Sequence, residues 1–104
     1  MKKRDIILMN APFTDLSEKK IRPALVLAQL QDDLLICFIG SKIDKSAPHD
    51  ILIKSDADNK LRVDSAIKCN KLFTLHYSLI KGVLGTVPPK IYDAVIQKIV
   101  RIIR

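Results

Sequence analysis

The feature that most constrains this chain is an alternation of short apolar, β-branched runs with clusters of turn formers, repeated until a single helical period takes over at the C-terminus. The runs fall at 6–9 ("IILM"), 24–28 ("ALVLA"), 34–39 ("LLICFI"), 51–53 ("ILI") and 66–73 ("AIKCNKLF"). Between them lie "NAPFTDLSEKK", "QDD", "KIDKSAPHD" and "KSDADNK", rich in Asp, Asn, Ser and Pro. Runs this short with such separators are strands, and the spacing predicts a small, mainly β body. At the end, Ile91, Val95, Ile99 and Ile102 recur at helical spacing, widened by Tyr92, Ile96 and Ile103. Pro89 suits the first turn of that helix, where its missing N–H would be unpaired anyway. The expectation is a curled sheet closed by one C-terminal helix.

No repeat, linker or low-complexity segment divides the chain, so one domain over residues 1–104 is expected. A composition that is 48% hydrophobic supplies a core for that length. Cys37 and Cys69 each lie in an apolar run without a Cys-x-x-Cys pattern, as reduced buried thiols do, which points to the cytoplasm. The basic start "MKKRD" is expected to lead into the first strand rather than to form a signal peptide, because Asp5 interrupts it and the apolar run that follows is too short. No segment reaches the roughly 18 apolar residues of a membrane span, so no membrane partner is expected.

Eighteen Lys and Arg against 11 Asp and Glu give a formal charge of +7. Such an excess on a small surface attracts polyanions, although it can also serve solubility alone. Familiar catalytic patterns are missing. Gly40, Gly82 and Gly85 form no phosphate loop, and His49 and His76 have no Cys or carboxylate neighbours at metal-ligand spacing, so neither a metal nor a cofactor is expected. "DADN" at 56–59 opens like a calcium loop, but Lys60 takes the next ligand position and the glycine and distal glutamate are lacking, which leaves a solvated turn.

What remains is basic and polar chemistry at strand ends. Arg22 precedes Pro23, which restricts the backbone and removes a ladder donor, so the guanidinium is aimed reproducibly. It can grip a phosphate through two parallel hydrogen bonds, or pair on the surface with Glu18 or an aspartate. In "SAIKCNKLF" a two-residue alternation sets Lys68 and Asn70 on one strand face about 7 Å apart, opposite Ile67 and Cys69.

Three blocks, in order and spacing, resemble the PemK/MazF-like toxins of type II toxin–antitoxin modules over residues 5–103. "RDIILMNAPFTDLSEKKIRPALVLA" resembles that family's opening, "LLICFIGSKI" its third strand, and "DSAIKCNKLFTLHYSLIKGVLGTVPP" its later strand, short segment and approach to the closing helix. The resemblance implies a small SH3-like (PemK/CcdB-like) barrel, a homodimer, and a metal-independent endoribonuclease that cuts single-stranded RNA at short sequences, such as those in mRNA, until a cognate acidic antitoxin silences it. In that chemistry the 2′-hydroxyl attacks the adjacent phosphate, leaving a cyclic or 3′ phosphate and a free 5′-hydroxyl.

Residue by residue, the resemblance makes Arg22 the phosphate-binding arginine and Glu18 the acidic residue of the loop over the RNA groove. Gly40 stands where many relatives have a threonine, leaving Ser41 as the matching hydroxyl. Lys68 and Asn70 stand where some members carry an Arg and an Asp as general acid and base. A lysine still donates to phosphate, but an amide is no base at neutral pH, so Glu18, Asp64 or water would take the proton and the enzyme would be slow. Among five aromatics, Phe13 is the candidate for stacking a base, while Phe38 and Phe73 read as core. Lys19, Lys20, Lys42 and Lys71 join as phosphate contacts. Two rivals stay open: a degenerate homologue that binds RNA or antitoxin without cutting, and a poison of a protein target such as gyrase, which another toxin family on the same barrel binds.

Overall fold

The computed structural model describes residues 1–10 and 20–104. Six strands form one antiparallel sheet: β1 (Asp5–Asn10), β2 (Ile21–Gln29), β3 (Asp33–Gly40), β4 (Asp50–Ile53), β5 (Ser65–His76) and β6 (Ile80–Thr86). A 3-10 turn at Tyr77–Leu79 joins the last two, and the helix α1 (Pro89–Ile103) closes the chain. The strand order is β4-β5-β3-β2-β1-β6. Extents of 30 × 29 × 27 Å require this sheet to curl strongly rather than lie flat.

The apolar runs are continuous because the central strands are buried on both faces. Alternation sends Ile6, Leu25, Leu27, Cys37, Ile39 and Ile67 to the face packed with Val87, Val95 and Ile99, while Ile7, Met9, Ala24, Val26, Leu34, Ile36 and Leu75 fill a second cluster. Tyr92 reinforces the helix side by donating its hydroxyl to the Leu27 carbonyl at 2.6 Å. Each fully buried Ile or Val contributes roughly 1.5–3 kcal/mol, and truncating Ile99 to Ala should cost about 2–5 kcal/mol by leaving a cavity under the helix.

Several expectations need correction. The sixth strand, β6, was absent from the apolar runs because Gly82 and Gly85 dilute "IKGVLGT". Gly85 is demanded by a close approach, since a Cβ there would lie 2.3 Å from the Asp58 carbonyl oxygen. The "DADN" turn is less solvated than expected. Asp56 Oδ1 accepts the backbone N–H groups of Asp58 and Asn59 at 2.9 and 2.7 Å, and Asn59 is buried, its amide donating to the Lys54 carbonyl and its Oδ1 accepting from Asp56 and Leu61. Along α1 the apolar stripe outruns its partner: Val95 and Ile99 are buried, but Ile102 and Ile103 are exposed. Phe38 and Phe73 are half-buried against the second cluster rather than enclosed in it. Cys37 and Cys69 are both buried and unbridged.

Candidate phosphate-binding cleft

A cleft of about 780 Å³ opens where β2, β3 and β5 come together with the segment after β3. Among the described residues its walls carry Arg22, Lys42, Lys45, Lys68 and Lys71, with the Ser41 hydroxyl, the Gly40 backbone, Phe38, Ile43 and a single carboxylate, Asp44. Strand pairing explains the convergence. Ala24 lies opposite Phe38, so the same register carried two residues further brings Arg22 level with Gly40, and Phe38 in turn lies opposite Lys68. Residues far apart in sequence thus meet across three neighbouring strands of the sheet. Five cations against one carboxylate give the cleft a strongly positive potential, which favours a phosphate chain.

Arg22 is half-buried in β2 and pairs across the ladder with Met9, while Pro23 pairs with Leu8. Among the described residues its guanidinium has no ion-pair partner. Lys68 is held differently. Its Nζ lies 2.5 Å from Asp50 Oδ2 and 3.4 Å from the Lys42 carbonyl oxygen. Beneath it, Cys37 Sγ donates to the Lys68 backbone carbonyl at 2.9 Å. The Cys69 side chain and burial push the Cys37 thiol up, so it stays protonated and able to donate at neutral pH. Asp44 is held below the usual carboxylate range by the Ser46 hydroxyl, at 2.7 Å, and by the Ser46 backbone N–H, at 2.9 Å.

The sequence-derived site residues separate into three groups. Arg22, Ser41, Lys42, Lys68 and Lys71 line one cleft. Lys20 is exposed just before β2, and Asn70 is exposed too; neither lines the cleft. Phe13, Glu18 and Lys19 lie outside the described residues. β5 bulges beside Asn70: Cys37 pairs with Leu72 but Phe38 with Lys68, so one step on β3 spans four on β5. Cys69, Asn70 and Lys71 form the excess; buried Ile67 and Cys69 still alternate with the more exposed Lys68 and Asn70, and the alternation stops at the exposed Lys71. Asp64, the other candidate base, accepts the Ser55 N–H at 2.8 Å and does not line the cleft.

Sequence reasoning missed Asp44, Lys45 and above all Asp50. All three sat in "KIDKSAPHD", read only as turn formers. Asp50 was recognisable only through pairing, because β4 brings it directly opposite Lys68. The glycine at position 40 is also less constrained than its residue type suggests. Its φ is not positive, and a Cβ there would meet only Lys68 Cε, at 3.5 Å.

A second groove, of about 680 Å³, adjoins the first and shares Arg22 and Ser41 with it. Its remaining walls are mostly apolar, with Leu8, Ile21, Pro23, Ile39, Leu61, Val63 and Leu84 around Arg62 and Ser65. Among the described residues no helix is long and apolar enough to cross a membrane, and no three His, Cys, Asp or Glu side chains converge as a metal site would need.

Known structures share this architecture. An endoribonuclease from a mycobacterial species, solved in complex with its cognate antitoxin, superposes with a TM-score of 0.78 at 11% identity, covering 99% of this chain and 94% of that one. The Mycobacterium tuberculosis toxin MazF-mt6 gives 0.76 at 17% identity, with 94% of each chain covered. MazF from Deinococcus radiodurans gives 0.75 at 18%, covering 98% and 94%. Identities this low speak for the fold alone. No curated protein sequence matches the chain. Residues 2–103, however, match the sequence pattern described as PemK-like, MazF-like toxin of type II toxin-antitoxin system. With the six-stranded antiparallel sheet and closing helix in place, that match over nearly the whole length makes the chain a member of the PemK/MazF-like toxin family.

Proposed function

We propose that the chain is the toxin of a type II toxin–antitoxin module and acts as a metal-independent endoribonuclease on single-stranded RNA. The observation that carries this reading is the meeting of Arg22, Ser41 and Lys68 in one cationic cleft. In the reaction the RNA 2′-oxygen forms a bond to phosphorus while the P–O5′ bond breaks. The products are a 2′,3′-cyclic phosphate and a 5′-hydroxyl. Negative charge grows on the non-bridging oxygens, where the Arg22 guanidinium can meet it with paired donors. Ser41 donates a further hydrogen bond. The Lys68 ammonium contacts the phosphate and is the candidate to return a proton to O5′.

No strong base lines the cleft among the described residues. Asp44, the only carboxylate there, is weakened as a base by its Ser46 hydrogen bonds. The 2′-proton therefore goes to Glu18 or to water, and slow turnover follows. Asn70, exposed on the bulge beside Lys71, is assigned to reading a nucleobase edge through its amide rather than to proton transfer. Lys19, Lys20, Lys42 and Lys71 bind flanking phosphates, and Phe13 stacks a base. An acidic antitoxin segment would compete with RNA for the same cations. Exposed Ile21, Leu52, Val63 and Val83 supply apolar surface for a homodimer.

The test is incubation of purified protein with a long single-stranded RNA and a metal chelator, followed by mapping of the new ends. Cuts at a short sequence with 5′-hydroxyl ends support the nuclease. The lack of a strong base among the described cleft residues favours one second reading, an RNA-binding homologue that does not cut, and binding without new ends would establish it. Neither cutting nor binding would point to a protein target.

A further inference from the structure

The Asp50 carboxylate is 5% exposed and Lys68 19%, so this ion pair sits under the cleft wall and is not a contact on open surface. Asp50 does not itself line the cleft. A charge so enclosed without a partner would be costly, which makes the choice of an acid behind a phosphate-facing lysine an active one.

We infer that Asp50 is a positioning residue for the cleft reaction, acting through Lys68; this rests on the nuclease reading above. A lysine ammonium has three N–H donors and a flexible four-carbon stem. Here one donor is taken by Asp50 Oδ2 at 2.5 Å and a second is directed at the Lys42 carbonyl oxygen at 3.4 Å. One donor remains for a phosphate oxygen. The cross-strand pairing of Asp50 with Lys68 and the Cys37 Sγ hydrogen bond to the Lys68 carbonyl fix the backbone beneath that ammonium. The arrangement converts a mobile cation into a donor with a set direction, at the cost of part of its charge. It therefore favours the transition state over simple RNA attraction.

The decisive experiment compares wild type, Asp50→Asn, Lys68→Met and the double variant. Single-turnover cleavage at saturating RNA and affinity for a 2′-deoxy, uncleavable analogue are measured for each. Asp50→Asn keeps the shape but removes the charge, so the cleavage rate should fall by about 10- to 100-fold, while analogue affinity stays within about threefold or tightens as the ammonium is freed. In the Lys68→Met background the same change should have no further effect on rate. Should Asp50→Asn fail to fold, Asp50→Glu keeps the charge, moves the carboxylate by one methylene, and should still slow cleavage. An unchanged rate, a loss confined to affinity, or an equal loss without Lys68 would overturn the assignment. If wild type does not cut RNA, the nuclease reading fails by itself, and the Lys68 clamp is judged by the ¹⁵N NMR signal of the Lys68 ammonium in the free protein. Slowed exchange and high order that vanish in Asp50→Asn support the clamp. A signal as mobile as those of the exposed lysines refutes it.

Discussion

The two grooves that meet at Arg22 and Ser41 differ in almost everything else. One wall presents the long cationic side chains of Lys42, Lys45, Lys68 and Lys71; the other presents Ile21, Leu61, Val63 and Leu84. The two shared residues form a ridge with a wet, cationic side and an apolar side. A guanidinium with apolar groups on one flank sees a lower effective dielectric than a lysine on open surface, so its interaction with a phosphate is stronger for the same distance. In the proposed reaction the cationic side gathers RNA, and the ridge is where charge is handled most strongly.

That contrast can be broken first at the ridge. Arg22→Ala should lower the cleavage rate by about 10²–10³-fold, the scale of one preorganised donor, while the circular-dichroism spectrum and melting temperature stay nearly unchanged. A variant that cuts at the wild-type rate would remove Arg22 from the reaction.

The apolar side should answer through assembly. Val63 is 53% exposed, and replacing it with Asp should weaken self-association by about tenfold, the effect of roughly 1.4 kcal/mol. Because the +7 chains repel one another, association of the wild type should tighten with added salt. Light scattering that showed only a monomer of about 12 kDa at low and high salt would sink the dimer.

A smaller effect is expected on the bulge. Asn70→Asp would supply the carboxylate that some relatives carry, but Asn70 lies outside the cleft lining, so the rate should change by less than about threefold across pH 5–9. A gain of about tenfold or more with a carboxylate-like pKa would restore position 70 as the base.

The smallest concerns the rim. Asp44 has its carboxyl lowered from an ordinary 3.8 by Ser46, so that hydrogen bonding contributes stability above the ordinary pKa and loses it as pH falls through the lowered one. Ser46→Ala should move the Asp44 ¹³C-carboxyl titration back up toward 3.8, with little change in melting temperature at neutral pH.

Legibility in the sequence followed the range of each interaction. Arg22–Pro23 was readable because its constraint spans one peptide bond, and the α1 stripe because its period repeats over four turns. The bulge at 69–71 was hidden because it is set by how β5 meets β3, not by the composition of β5. Asp50 stayed hidden for a related reason: pairing of β4 with β5 decides which acid faces Lys68, and "KIDKSAPHD" offers Asp44 and Asp50 alike. β6 was obscured by glycines whose need appears only once the 56–59 turn packs on it.

That packing has an outcome for solubility. β6 ends the sheet, and a terminal strand offers unpaired backbone groups to which another chain can add. Thr86 N–H, near one end of this edge, already donates to the Asp58 carbonyl at 3.0 Å, and its hydroxyl donates to the Arg4 carbonyl at 3.1 Å. The turn thus caps that end of the strand, and the cap depends on a residue without a side chain at position 85. Any larger residue at position 85 would push the turn away and uncover β6, so its first symptom in the cell should be aggregation at a folded protein's exposed edge, ahead of any change in the cationic cleft.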